Sequence, residues 1–94
     1  MSETVAFAFE SLHCTDKVSI LTPGIYKDAI KVFITCEGSD CRFRYDCEDP
    51  TEFVGHILRE GGYLILNGSL QIQGFRFIQT GANQATLSIS YERI

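Results

Sequence analysis

The chain has 94 residues, of which 45% are hydrophobic and 21% are charged. This balance predicts one folded domain over residues 1–94 and argues against a disordered chain. Twelve acidic residues outnumber eight basic ones, giving a net charge of -4, which argues against nucleic acid and anionic membranes as partners.

Neither the first residues nor the apolar runs indicate a signal peptide or a membrane-spanning helix. The first residues show neither the positive nor the apolar region of a signal peptide. No apolar run approaches the roughly 18 residues that a membrane-spanning helix needs. We therefore expect a soluble domain that does not use a membrane as a partner.

Alternation of apolar and polar side chains predicts β-strands along most of the chain, because successive side chains of a strand face opposite sides. This period of two residues is found in residues 5–9, 17–20, 30–35, 41–46 and 86–91. Residues 63–66 and 70–73 flank Asn67-Gly68, which predicts a hairpin with a type I′ turn.

Turn residues separate these runs. Pro23-Gly24 and Gly81-Ala82-Asn83-Gln84 predict turns, and Glu37-Gly38-Ser39-Asp40 predicts a hairpin between the third and fourth strands. Residues 47–62 predict a loop, in which residues 51–59 form at most one helical turn because Gly55 interrupts them. Seven or eight short strands predict an all-β fold, an antiparallel β-sandwich of immunoglobulin-like or jelly-roll type.

The potential metal ligands lack the spacing of a metal site. These residues are His13, Cys14, Cys36, Cys41, Cys47 and His56. The cysteine gaps of four and five residues do not fit a zinc knuckle, and adjacent strand residues face opposite sides. Half of the acidic residues fall within residues 37–52 without the spacing of a calcium loop. We expect no metal, no cofactor and a solvated acidic rim with nearby arginines balancing its charge.

The four cysteines are expected to be free thiols, because no secretory signal accompanies them. In the predicted hairpin Cys36 and Cys41 face each other at a separation that permits a disulfide without requiring one. Catalysis is not expected either. The chain has only two histidines, His13 and His56, and no nucleophile motif or phosphate-binding loop surrounds them.

Several short motifs resemble small β-sandwich proteins of tailed bacteriophages. They are Arg42-Phe43-Arg44-Tyr45-Asp46, Asp49-Pro50-Thr51, Gly55-His56-Ile57-Leu58, Phe75-Arg76-Phe77-Ile78 and Ala85-Thr86-Leu87-Ser88-Ile89-Ser90-Tyr91. The resemblance covers roughly residues 28–93. Where the group often has Asp-Gly before Asp-Pro-Thr, this chain has Asp46-Cys47-Glu48, which departs from a tight turn.

The resemblance implies a non-enzymatic virion protein that decorates or cements the head. Its implied partners are the major capsid protein or other virion subunits, with a homotrimer as a candidate assembly, and its implied location is the virion, assembled in the host cytoplasm. We expect the partner interface to use apolar residues of the first strand and of the 47–62 loop. These residues are Val5, Phe7, Phe9, Phe53, His56 and Ile57.

An alternative function is a carbohydrate-binding or adhesion module. The Arg44-Tyr45-Asp46 and Asp49-Pro50-Thr51 segments are also similar to small β-sandwich modules appended to glycosidases. Exposed aromatic rings would stack on sugars in such a module, and the candidates are Tyr26, Tyr45, Tyr63 and Phe75. The absence of tryptophan weighs against this alternative.

Overall fold

A computed structural model describes residues 3–94 as eight strands and two short helices. The strands are β1 (Val5–Cys14), β2 (Ser19–Ile20), β3 (Lys31–Glu37), β4 (Cys41–Arg44), β5 (His56–Leu58), β6 (Tyr63–Asn67), β7 (Arg76–Gln79) and β8 (Ala85–Arg93). The helices are α1 (Pro23–Tyr26) and α2 (Ser69–Gly74). Neither helix is long and apolar enough to cross a bilayer.

The strands form two antiparallel sheets of four. The first sheet has the order β1-β8-β3-β6, and the second has the order β2-β7-β4-β5. The prediction of an all-β, sandwich-like fold built from seven or eight strands is therefore confirmed. The edges of the sheets are β1 and β6 in the first and β2 and β5 in the second.

The core lies between the sheets and follows from the alternation of the strands. On β8, the apolar residues face inward and are buried, whereas the hydroxyl residues between them face outward. The core residues of the strands include Val32, Ile34, Cys36, Cys41, Phe43, Leu66, Phe77, Leu87, Ile89 and Tyr91. No charged side chain among the described residues is buried in this core.

The predicted hairpin at residues 37–40 is wrong. β3 belongs to the first sheet and β4 to the second, so this segment crosses between sheets. Cys36 and Cys41 at its ends are both buried, and the crossover lets both side chains enter the core. They are not cross-strand partners.

The predicted hairpin at Asn67-Gly68 is also wrong, because residues 69–74 form α2 instead of a strand. A type I′ turn needs positive φ at both central residues. Gly68 has φ 85°, but Asn67 does not share the positive φ. The helix buries Ile72 and leaves Leu70 exposed. Four residues that alternate are too few to distinguish a strand from one helical turn.

Two other local expectations change in detail. Pro23-Gly24 begins α1 instead of a simple turn, with Pro23 in the first turn of the helix, where its missing N–H costs no hydrogen bond. Residues 51–59 contain no helix; their last part forms β5, which pairs with β4 at the edge of the second sheet.

Candidate functional site: the loop between β4 and β5

The loop of residues 45–55, here called the β4–β5 loop, is fastened to the second sheet by side-chain hydrogen bonds. Arg76 on β7 donates to Asp49 at 2.6 Å. Arg42 on β4 donates to the carbonyl oxygen of Gly55 at 2.9 Å, and Thr80 donates to the carbonyl oxygen of Glu52 at 2.7 Å. Three side chains of the sheet and its flank therefore hold the loop, at Asp49, Glu52 and Gly55.

The backbone of the loop is shaped by residues with restricted choices. Pro50 is fully buried and fixes φ where the chain turns inward. Thr51 then accepts hydrogen bonds on its hydroxyl from the backbone N–H groups of Phe53 and Val54, at 3.2 and 2.9 Å. Gly55 has φ 136°, and a Cβ there would lie 2.9 Å from the carbonyl oxygen of Phe43. Only glycine fits this position without displacing backbone.

This fixed loop presents apolar side chains to solvent. Phe53 is 78% exposed, and Val54 beside it and Ile57 on β5 are exposed as well. Burial of such side chains would stabilise the fold by roughly 1.5–3 kcal/mol each. The loop instead keeps them outside while its polar groups bind the sheet, an arrangement that favours recognition of a partner.

The acidic residues of this region pair with arginines. Arg44 donates through Nε to Asp46 at 3.0 Å, and Arg59 contacts Asp40 at 3.2 Å. The Arg44 guanidinium lowers the pKa of the Asp46 carboxyl. The backbone N–H of Glu60 lowers the pKa of Asp40, with Arg59 adding to the effect. Within residues 3–94, no group of three or more histidine, cysteine or acidic side chains is arranged to hold a metal ion.

A pocket of about 300 Å³ opens beside the loop. Arg44, Tyr45, Asp46 and His56 line it. The Tyr45 and His56 rings lie 5.9 Å apart, and both contact the Phe43 ring, which is buried. This arrangement places an exposed aromatic surface next to a planar pair of a guanidinium and a carboxylate.

The four aromatic residues considered for carbohydrate binding lie in different parts of the fold and differ in exposure. Tyr45 is 43% exposed in the pocket, whereas Phe75 is fully buried and contacts the Phe43 ring. Tyr26 is half-buried in α1, and Tyr63 is exposed on β6 of the other sheet. Only Tyr45 among the four lines the pocket.

The six residues expected at a partner interface fall on two sheets. Val5, Phe7 and Phe9 lie on β1, an edge of the first sheet. Val5 and Phe9 are exposed, and Phe7 is half-buried with the Arg93 guanidinium 4.7 Å from its ring centre.

The other three expected interface residues belong to the β4–β5 loop and β5, an edge of the second sheet. Phe53, His56 and Ile57 are all exposed there. Val54 was not among the residues predicted for the interface, although Thr51, whose hydroxyl accepts from the Val54 N–H, is a local turn signal. Arg44 and Asp46, which line the pocket, were not predicted as site residues either, because the alternation of a strand does not indicate a pocket.

The cysteines occupy two environments and form no disulfide. Cys14, Cys36 and Cys41 are buried, and Cys36 donates to the carbonyl oxygen of Ser39 at 3.1 Å. Hydrogen bonding to Cys41 raises the pKa of Cys36, and hydrogen bonding to Cys14 raises that of Cys41, with burial adding to both effects. Cys47 lies exposed in the β4–β5 loop.

Comparisons of this chain with protein-family models, with curated proteins and with solved structures find no match.

Proposed function

We propose that this chain is a non-enzymatic virion structural protein that binds assembled capsid subunits and stabilises the head. The observation that carries the proposal is the β4–β5 loop, which is fixed at three points and still exposes Phe53 and Val54. The resemblance of residues 28–93 to small phage β-sandwich proteins supplies the identity of the partner. In this proposal the site acts by docking and not by turnover.

The fixed loop suits binding to a rigid shell. Ordering a mobile loop on binding costs conformational entropy, and a loop that is already ordered avoids most of that cost. The exposed phenyl ring of Phe53 supplies an apolar anchor of the kind that dominates protein interfaces. Glu48 and Glu52 are exposed in the same loop and would contribute charge to the rim of the interface. Many copies on one shell would add their modest contributions through multivalency.

The test measures binding of the full chain to empty shells of the virus that carries its gene. We expect the protein to sediment with these shells and its peptides to be found in purified particles by mass spectrometry. Phe53→Ser should lower the affinity for shells, measured by co-sedimentation, at least about tenfold, because the interface would lose a buried aromatic anchor. The matched control is Leu70→Ser, because Leu70 is also largely exposed, at 80%, and belongs to α2 instead of the loop.

Two outcomes would overturn the proposal. One is absence of the chain from purified particles together with no sedimentation on shells. The other is equal loss of binding in the Phe53 and Leu70 variants, which would show that the loop has no special part.

A second candidate function, binding of a saccharide, is favoured by the pocket beside the loop. Tyr45 offers a ring face on which a sugar can stack. The neighbouring Arg44 and Asp46 offer planar donors and acceptors to vicinal hydroxyl groups. Both charges are paired with each other, so the pocket suits a neutral ligand better than an anion.

Nuclear magnetic resonance titration with neutral mono- and oligosaccharides at millimolar concentration tests this candidate. We expect shifts confined to residues 44–46 and 56, abolished by Tyr45→Ala and retained in Tyr63→Ala. Tyr63 is also exposed but lies on β6 of the other sheet. Absence of shifts for every sugar would remove the saccharide function and leave the capsid proposal intact.

A further inference from the structure

The outer edge of β1 is the longest unpaired strand edge in the described part of the chain. β1 has ten residues, whereas the other edge strands, β2, β5 and β6, have two, three and five. One side of β1 pairs with β8. Within residues 3–94, its other side forms no backbone hydrogen bond to another strand. Such an edge offers backbone donors and acceptors to a further strand.

β1 has few of the features that normally protect an edge, and its β-bulge lies near its start. Its register with β8 shifts between Ala6 and Ala8, and from Ala8 to Cys14 the pairing is regular. This straight part contains neither proline nor lysine. Its one charged residue, Glu10, bonds Tyr91 and Thr22 of its own chain. Phe9, by contrast, is 63% exposed.

We propose that β1 pairs antiparallel with β1 of a second copy of this chain, forming a dimer about a twofold axis at Ser11. The two four-stranded sheets would join into one sheet of eight strands, a size that globular proteins commonly use. The proposal concerns a surface other than the β4–β5 loop and does not rest on the capsid function.

The sequence of the straight part is suited to pairing with itself. In an antiparallel register centred on Ser11, Phe9 of each copy lies opposite His13 of the other copy. It sets Glu10 opposite Leu12, and the two Ser11 hydroxyls face each other. Aromatic pairs and hydroxyl pairs opposite each other stabilise a sheet, and like charges opposite each other destabilise it.

The neighbouring register is disfavoured by charge. Centring the pair on Glu10 would set the two Glu10 carboxylates directly opposite each other, which is destabilising. Centring it on Phe9 would draw the irregular part at Ala6 into the ladder. The register at Ser11 uses residues 8–14 of both copies and avoids both problems.

The second sheet also has an edge on this side of the molecule. β2 is its edge strand there, because residues 15–18 connect it directly to β1 and Thr22 donates to Glu10 at 2.7 Å. A strand edge buries less than the roughly 800 Å² per partner of a standard interface, so we expect a dimer that dissociates on dilution.

The first measurement is the solution mass of the full chain by light scattering after size exclusion, over a dilution series. We expect monomer at low concentration and dimer at high concentration. Ser11→Lys should raise the dissociation constant up to about fivefold, because two ammonium groups would face each other at the twofold axis. The control Tyr63→Lys, on the exposed outer face of β6, should leave the dimer unchanged.

A rescue experiment tests the twofold geometry itself. Ser11→Glu should also dissociate the dimer, and mixing it with Ser11→Lys should restore dimers that contain one copy of each. Ser11 is exposed, so these variants should keep the fold, which circular dichroism can check. Restoration is expected only where residue 11 of one copy faces residue 11 of the other.

Several results would overturn the proposal. They are a monomer at every concentration, a trimer, or a dimer that Tyr63→Lys dissociates while Ser11→Lys does not. Failure of the mixed variants to pair would exclude the register at Ser11. None of these results affects the shell-binding test, in which Phe53→Ser is the informative variant.

Discussion

The carboxylate of Glu10 on the edge strand accepts a hydrogen bond from the buried hydroxyl of Tyr91 on β8. Burial raises the pKa of the Tyr91 hydroxyl, and the bond to Glu10 raises it further, so the phenol stays protonated and donates. Glu10 also accepts from the Thr22 hydroxyl at 2.7 Å. One carboxylate therefore connects β1, β8 and the segment that precedes α1.

Removing the Tyr91 hydroxyl should destabilise the fold. Tyr91→Phe keeps the buried ring and loses a hydrogen bond to a charged group, which costs about 1.5–3 kcal/mol in the free energy of unfolding. Urea unfolding followed by circular dichroism measures the change. The control Tyr63→Phe removes an exposed hydroxyl and should change the free energy by less than about 0.5 kcal/mol. Equal effects of the two variants would contradict this role of the Glu10–Tyr91 bond.

A side chain at position 55 should disrupt the β4–β5 loop. Gly55→Ala combines a φ of 136° with a Cβ 2.9 Å from the Phe43 carbonyl oxygen. Strain of this kind costs about 1–3 kcal/mol, measurable as a lower urea midpoint. Gly24→Ala is the matched control, because nothing lies within 4 Å of a Cβ there and its φ is not positive. A Gly55 variant as stable as the Gly24 variant would show that the loop can adapt.

The longest alternating segments were the most predictable parts of the fold. In β3 and β8, alternation extends over seven and nine residues and identifies the buried face directly. The structure of residues 70–73 and of residues 37–40 differs from the predicted hairpins for different reasons. Residues 70–73 are too few for the alternation of apolar and polar side chains to distinguish a strand from a helix. At residues 37–40 the turn residues predict a turn, but they do not specify whether the next strand stays in the same sheet.

The candidate site was predictable only in part. Phe53, His56 and Ile57 stand out as apolar or aromatic residues within a polar stretch, and all three are exposed. The bonds that fix the loop join Asp49 to Arg76 and Glu52 to Thr80, pairs that are 27 and 28 residues apart. No local pattern encodes such distant pairs, because they depend on how the sheets bring β7 beside the loop.

The charged Asp40 side chain should stabilise the fold at neutral pH and lose this effect in strongly acidic solution. Bonding to Glu60 N–H and Arg59 lowers the folded-state pKa of Asp40 below its ordinary value of 3.8. A carboxyl with a lowered pKa contributes stability above its unfolded pKa and loses it as the pH falls through the folded pKa. Asp40→Asn should therefore lower the urea midpoint at pH 7, and its difference from the natural chain should shrink as the pH falls below 3.8.

The matched control for this pH test is Asp28→Asn. Asp28 is exposed, and within residues 3–94 its side chain has no hydrogen-bond partner. This variant should keep the midpoint of the natural chain at pH 7. A pH-independent effect of Asp40→Asn would mean that the amide disturbs the Glu60 N–H bond and that the charge of Asp40 has no role.

One thiol of the native protein should react much faster than the other three. Cys47 is exposed in the β4–β5 loop, whereas Cys14, Cys36 and Cys41 are buried. Because the thiolate is the reactive form, the raised pKa values of Cys36 and Cys41 slow them further. Titration with an aromatic disulfide reagent should show one fast thiol in the folded chain and four in denaturant. Cys47→Ser should remove the fast phase alone, and a fast phase that survives in this variant would place another thiol at the surface.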